Sequence, residues 1–143
     1  MSFDLKIRNG DLQLGADNDL AKVENTEKLV QEIIKMISTP LGANPFFSWY
    51  GCPITKTLIG TAYTTRFISN IASNQLRTSL ETLQKLQKTQ LKSGQFITPQ
   101  EQLAAIQNIL DDRNTVDPRF FLIDISVIDK TFRTVPTYLR VSL

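Results

Sequence analysis

The chain has 143 residues, 41% of them hydrophobic, with 16 Lys plus Arg against 14 Asp plus Glu. That length carries one hydrophobic core and is short for two, and a net charge of +2 gives no electrostatic reason to expect nucleic acid or an anionic membrane as partner. The single cysteine, Cys52, excludes an internal disulfide, and the lack of histidine removes the commonest metal ligand and the commonest general base.

The first residues, Met1-Ser2-Phe3-Asp4-Leu5-Lys6, lack the basic lead and apolar core of a signal peptide. No apolar run approaches the roughly 20 residues of a membrane span, so the expectation is a soluble protein of a reducing cytoplasm. Phe3, Leu5 and Ile7 alternate with Asp4, Lys6 and Arg8, and Asn9-Gly10-Asp11 reads as a hairpin turn. Leu12 and Leu14 continue the alternation, Gly15 to Asp19 break it, and Leu20-Ala21-Lys22-Val23 resume it, which predicts a small β-meander. A helix is expected over Thr26 to Ser38, capped by Asn25 or Thr26, with Leu29, Val30, Ile33, Ile34 and Ile37 on its buried face.

Thr39 to Pro53 holds three prolines, two glycines and the aromatics Phe46, Phe47, Trp49 and Tyr50. Such a segment is irregular yet too apolar to lie free in water, so it packs either back over the first helix or onto a partner. From Thr61 to Lys92 there is neither proline nor glycine, and Ile68, Ala72, Leu76, Leu80, Leu83 and Leu91 recur at helical spacing. The predicted helix extends on the order of 45 Å. Its polar face carries Arg66, Arg77, Lys85, Lys88 and Lys92 against Glu81, and Gln87 and Gln90 interrupt the leucine ladder, which disfavours a long homotypic coiled coil.

Thr98-Pro99-Gln100-Glu101 combines a capping box with proline at the first helical position and predicts a third helix, with Leu103, Ile106, Ile109 and Leu110 as its buried stripe. Pro118 excludes helical geometry at Asp117, so this helix stops near Arg113 and Asp117-Pro118-Arg119 forms a charged corner before a strand from Phe120 to Ile128. Asp117 and Arg119 are either a solvated turn pair or a binding corner, Arg119 having a planar fork of donors suited to a partner carboxylate or helix end. Ile123, Ile125 and Val127 share one face of the strand, and Leu139, Val141 and Leu143 of a last strand join the same core. Pro136 marks that last strand as an edge to which another protein can add strands. The order of elements predicts an α+β fold: a small antiparallel or mixed sheet packed against helices, with one long extra helix, as one domain over residues 1–143.

No constellation carries chemistry. Glu24, Glu27, Glu32, Glu101, Asp124 and Asp129 sit in no acid/base motif and belong mostly on solvated faces, and there is no phosphate loop, metal cluster or nucleophile elbow. Cys52 beside Pro53 has no histidine to activate it. The expectation is a protein that is not an enzyme and carries no cofactor.

Taken together, Asn9-Gly10-Asp11-Leu12 followed by Asp19-Leu20, Thr39-Pro40-Leu41-Gly42, Tyr50-Gly51, and Asp117-Pro118-Arg119 before the final strands resemble the baseplate wedge and sheath-initiator family of contractile phage tails. That family has relatives in type VI secretion. It typically has Glu-Pro-Arg at the corner, where this chain has the shorter Asp117, and often an acid after the loop glycine, where this chain has Ala43. The spacing from Tyr50-Gly51 to Asp117-Pro118-Arg119 is longer than usual, which marks residues 61–92 as a helical insertion. The resemblance implies a structural protein of the virion tail baseplate, assembled in the host bacterial cytoplasm. It implies that Asp117, Pro118 and Arg119 grip the helical bundle of the wedge proteins. It implies that Thr137, Tyr138, Leu139, Arg140, Val141, Ser142 and Leu143 template the tail sheath protein, with tail tube or hub as further neighbours and neither nucleic acid nor membrane as partner. Two alternatives stay open: some family members are labelled lysozyme-like, implying a peptidoglycan-cleaving enzyme, and others are cytoplasmic adaptors.

Overall fold

The computed structural model describes residues 2–58, 65–113 and 120–142. The chain opens as the expected meander: β1 (Asp4–Leu5) pairs with β4 (Lys22–Val23), and β2 (Ile7–Arg8) with β3 (Asp11–Leu12), both antiparallel. Between β2 and β3, Asn9 and Gly10 have φ of 53° and 82°, the two positive values that a two-residue hairpin of this hand requires. Val23 is buried, whereas Leu12, Leu14 and Leu20 stay exposed, so the meander adds little to the core. A side chain holds it in place. Gln31 accepts from Ile7 N–H at 2.9 Å and donates to Leu5 O at 2.8 Å and to the Asp4 carboxylate at 2.9 Å, acting as one more rung of the ladder.

Gln31 lies on α1 (Asn25–Ser38), followed by α2 (Ile54–Leu58), α3 (Thr65–Lys92) and the strands β5 (Leu103–Arg113), β6 (Phe120–Asp129) and β7 (Thr134–Ser142). These strands form one antiparallel sheet in the order β5-β6-β7. Ile123, Ile125 and Val127 of β6 and Val135 of β7 pack with Leu29, Ile33, Met36 and Ile37 of α1 and with Ala72, Leu76, Leu80 and Leu83 of α3. Of the predicted stripes, Leu29, Ile33 and Ile37 of α1 and Ala72, Leu76, Leu80 and Leu83 of α3 are core, Val30 packs against it, Ile34 is half-buried, and Leu91 is exposed while Gln87 is buried; the side chain of Ile68 lies outside the described residues. The architecture is α+β, helices on one face of an antiparallel sheet, as the order of elements predicts. No helix among the described residues is long and apolar enough to cross a membrane.

The third predicted helix does not form. Its first turn does: Glu101 N–H donates to Thr98 O at 3.0 Å, and Thr98 N–H returns to Glu101 Oε2 at 3.3 Å, one half of a capping box. Leu103–Arg113 then runs as β5, paired with β6 along its length. The misleading feature was the three-residue spacing of Leu103, Ile106 and Ile109. Register shifts between Leu103 and Ala105 and between Ile106 and Asn108 each insert one residue, turning the strand period of two into three and bringing all three side chains to the core face.

What joins the layers is a buried polar cluster around Glu101, a residue with no exposed surface. Glu24 at the N-cap of α1 makes no side-chain capping bond. The Glu101 carboxylate takes that role from across the fold, accepting from Asn25 N–H at 3.2 Å, and it also pairs with Lys28 Nζ at 3.4 Å. Asn25, in the left-handed region at φ 53°, accepts from the Thr98 hydroxyl at 3.0 Å. Lys28 also pairs with Glu32 at 3.8 Å and bonds the Ser2 hydroxyl. Gln87 of α3 completes the cluster: it donates to Glu32 Oε2 at 3.0 Å and to Glu101 O at 2.8 Å, and it accepts from Leu103 N–H at 2.8 Å. Burial pushes the Glu32 carboxyl above its ordinary value, against the opposing pull of Gln87 and Lys28 and with a further push from Glu101. Of the carboxylates expected on solvated faces, Glu101 and Asp129 are thus fully buried and Glu32 largely so.

Two predictions follow from the cluster. Gln87→Leu leaves Glu32 Oε2, Glu101 O and Leu103 N–H short of partners and should lower stability by about 3 kcal/mol, read from the urea midpoint at unchanged slope. For Glu32, the raised folded value means that the folded chain holds the proton more readily than the unfolded one. Its contribution to stability is complete below the ordinary glutamate range and is lost as pH rises through the folded value. Glu32→Gln, measured by denaturation between about pH 4 and 7, should therefore flatten that loss. Asp4 and Asp129 act oppositely and at lower pH. In both, hydrogen bonds outweigh burial (from Lys35 and Gln31 at Asp4, from Thr131 and Arg133 at Asp129) and lower the carboxyl, so their contribution fades as acid is added and should survive in the variant.

Candidate functional site

The last strand is an edge of the sheet, as Pro136 implies. Asp129 N–H donates to Arg133 O at 3.1 Å and closes the β6–β7 hairpin. Because antiparallel pairs alternate between bonded and non-bonded, the pairs Val127 with Val135, Ile125 with Thr137 and Ile123 with Leu139 turn their backbone groups toward each other. Pro136, Tyr138 and Arg140 then turn theirs away from β6. Proline sits at a position where no ladder bond is lost, and the next outward N–H groups belong to Tyr138 and Arg140. The side chains divide differently: Val135 and Thr137 are buried on the helix side and Leu139 packs against the core, whereas Tyr138 stands exposed on the opposite face.

The other edge is guarded. β5 has its two bulges, and Gln84 of α3 donates to Leu103 O at 3.2 Å and Ala104 O at 2.8 Å. Bulges and capped carbonyls both discourage pairing with another chain.

Asp117, Pro118 and Arg119 lie outside the described residues, as do Leu143 and the side chains of Val141 and Ser142. The surrounding elements still correct one expectation. Among the described residues the corner lies between two neighbouring antiparallel strands, β5 and β6, and the element before it is a strand where a helix is expected. The expected helix from Thr61 is described from Thr65, and residues 61–64 lie outside.

The loop from Thr39 to Pro53 is closed at its stem. Leu41 N–H donates to Cys52 O at 3.2 Å, and Cys52 N–H donates to Thr39 O at 2.8 Å. Gly51 makes this closure possible: its φ is 118°, and a Cβ there would lie 2.5 Å from Thr39 O. Within the loop the Asn44 side chain accepts from Phe46 and Phe47 N–H at 3.0 and 3.3 Å, and Tyr50 N–H donates to Phe47 O at 2.9 Å. Of its four aromatics, Tyr50 packs against the core, while Phe46, Phe47 and Trp49 remain 88%, 53% and 46% exposed. The sequence leaves open whether these rings fold back or face outward; three of the four face outward from a fixed loop.

Two carboxylates do share a cation, Glu32 and Glu101 around Lys28, and Glu32 has a perturbed acidity. Perturbed acids often mark catalytic sites, but this pair lines none of the described cavities and its bonds go to backbone and to Gln87. Asp129 is an Asx-turn residue, its Oδ1 bonded to the backbone of Thr131 and Arg133, and Cys52 is sealed in the core.

No family model matches the chain, and no curated protein matches it. In fold it is similar to the crystal structure of a protein named "putative tail lysozyme" from Geobacter sulfurreducens, with a TM-score of 0.61 over 82% of this chain and 89% of that one, at 14% sequence identity. At that identity the similarity speaks to the fold alone.

Proposed function

We propose that the chain is a structural component of a contractile phage tail baseplate, which docks on the wedge and offers β7 as the template for the first tail sheath subunits by strand addition. The observation that carries the reading is the asymmetry of the sheet: β5 is bulged and capped, while β7 turns the backbone groups of Tyr138 and Arg140 away from β6. An exposed sheet edge with backbone groups turned outward is what β-augmentation requires, and Pro136 is accommodated there without loss of a ladder bond. The fold similarity to a protein named "putative tail lysozyme", and the order of short motifs along the chain, support the same setting. In this reading Asp117, Pro118 and Arg119 hold the wedge proteins, and the exposed rings of Phe46, Phe47 and Trp49 supply rigid anchors of the kind that dominate protein interfaces.

The name of the Geobacter protein favours a second reading, cleavage of peptidoglycan. What supports the non-enzymatic one is that, of the four described cavities, none has two carboxylates on its walls. A muralytic assay on the purified chain separates the two, and the expected activity is nil.

Deleting residues 137–143 is a poor test of strand addition, because Thr137 is buried and the deletion removes six of the nine register pairs between β6 and β7. Tyr138→Pro is better: it removes one outward N–H and leaves the ladder to β6 intact, while Tyr138→Ala removes the same side chain and keeps the N–H. With the cognate sheath protein, electron microscopy should show co-assembly with wild type and Tyr138→Ala and none with Tyr138→Pro, both variants remaining folded by circular dichroism. Co-assembly with Tyr138→Pro would show that the edge is not the template. Arg119→Ala should fold normally and lose capture by wedge proteins in a pull-down.

A further inference from the structure

We propose that the outer face of the sheet is a docking groove for an arginine side chain of a partner protein, with Asp124 as its counter-charge. The helices cover one face of β5-β6-β7 and leave the other open. On that open face Leu110, Asp124 and Tyr138 stand side by side across the three strands in direct register. Leu122, one row along, completes an apolar surround, and together they line a groove of about 430 Å³. Leu110, Leu122 and Tyr138 are all substantially exposed, so the groove has walls and no lid.

An aspartate at the centre of such a surface is unusual, because the pattern of a solvated sheet face would spread its charges and leave each in water. Asp124 is instead half-covered, and its Oδ1 is wholly shielded from solvent without a hydrogen-bond donor. Arg140 lines the same groove, but it has a partner of its own and makes no bond to that oxygen. The Asp124 side chain lines the groove with one of its oxygens covered by neighbouring atoms, and the surrounding leucines reduce the local screening, so a cation in the groove is attracted to the carboxylate more strongly than in water.

Shape selects the cation. An arginine lays its three methylenes along leucine side chains, stacks its planar guanidinium on an exposed tyrosine ring and donates to a carboxylate at the same time. Leu110, Tyr138 and Asp124 are the three surfaces that this geometry needs, within one row of the sheet. The proposal is independent of strand addition at β7, since it uses side chains on a face and strand addition uses backbone along an edge.

The test is a titration of the isotopically labelled full chain, followed by methyl and amide NMR, with n-butylguanidinium and with the neutral isostere n-butylurea. An acetylated Val-Arg-Val amide and its citrulline counterpart form the second pair. The guanidinium and the arginine peptide should shift the Leu110 and Leu122 methyls and the Tyr138 amide, with the neutral partners about tenfold weaker. Asp124→Asn, expected to stay folded because its Oδ1 makes no bond, should lower affinity for the charged probes by the same factor, and Tyr138→Ala by a smaller one. Equal shifts from charged and neutral probes, or charged binding unchanged in Asp124→Asn, would overturn the proposal. Binding of n-butylguanidinium that appears only in Arg140→Ala would also overturn it, by showing the groove filled from within. Binding of n-butylguanidinium without the arginine peptide would make the site one for small cations and reject the protein partner.

Discussion

The rest of the structure depends on a carboxylate buried between three elements. Glu101 caps α1 from outside that helix, closes the turn that precedes β5, and draws Lys28 inward, while its own carbonyl receives the Gln87 side chain from α3. The peptide units of α1 leave unpaired N–H groups at its first turn, and Glu24 does not satisfy them. A donor-rich helix end, an ammonium and a buried acid are each unfavourable alone in a dry interior; together they satisfy one another. The same contacts tie α1 and α3 to the start of β5, at one margin of the sheet.

Much of the fold was legible because local signals agreed with the long-range outcome. Asn9-Gly10 demanded a turn that only two left-handed residues make, the Leu29-to-Ile37 stripe had one amphipathic solution, and Pro136 excluded an interior ladder position. The segment after Thr98 shows where such reading fails. Its capping box was real and its apolar spacing was three, yet partner pairing with β6 outweighed the local preference, and two bulges reproduced a helical period in an extended chain. Spacing alone cannot separate a helix from a twice-bulged strand.

The candidate site was legible in its backbone and hidden in its side chains. A proline seven residues before the last position was enough to expect an edge, but the division of β7 into outward amides and inward side chains needed the register against β6. Gln87, read as an interruption of a leucine ladder, is a connector, because a glutamine at a core position is costly unless both ends of its amide find partners. Glu101 looked like a first-turn acid of a new helix and is the cap of an old one. Signals of this kind are pairwise across many residues, and no window along the chain contains both members.

The two margins of the sheet differ in a way that bears on self-association. A protein with two open edges is its own substrate: copies stack edge to edge and the ladder grows without limit. Here one margin is twisted by two bulges and has the carbonyls of Leu103 and Ala104 occupied by Gln84, so a second copy arriving at β7 meets a β5 margin that is irregular over its first half. On the proposed reading, addition at the open margin is one-directional: the chain would begin a ladder made of some other polypeptide without extending one made of itself, the property that separates a nucleus from a fibre.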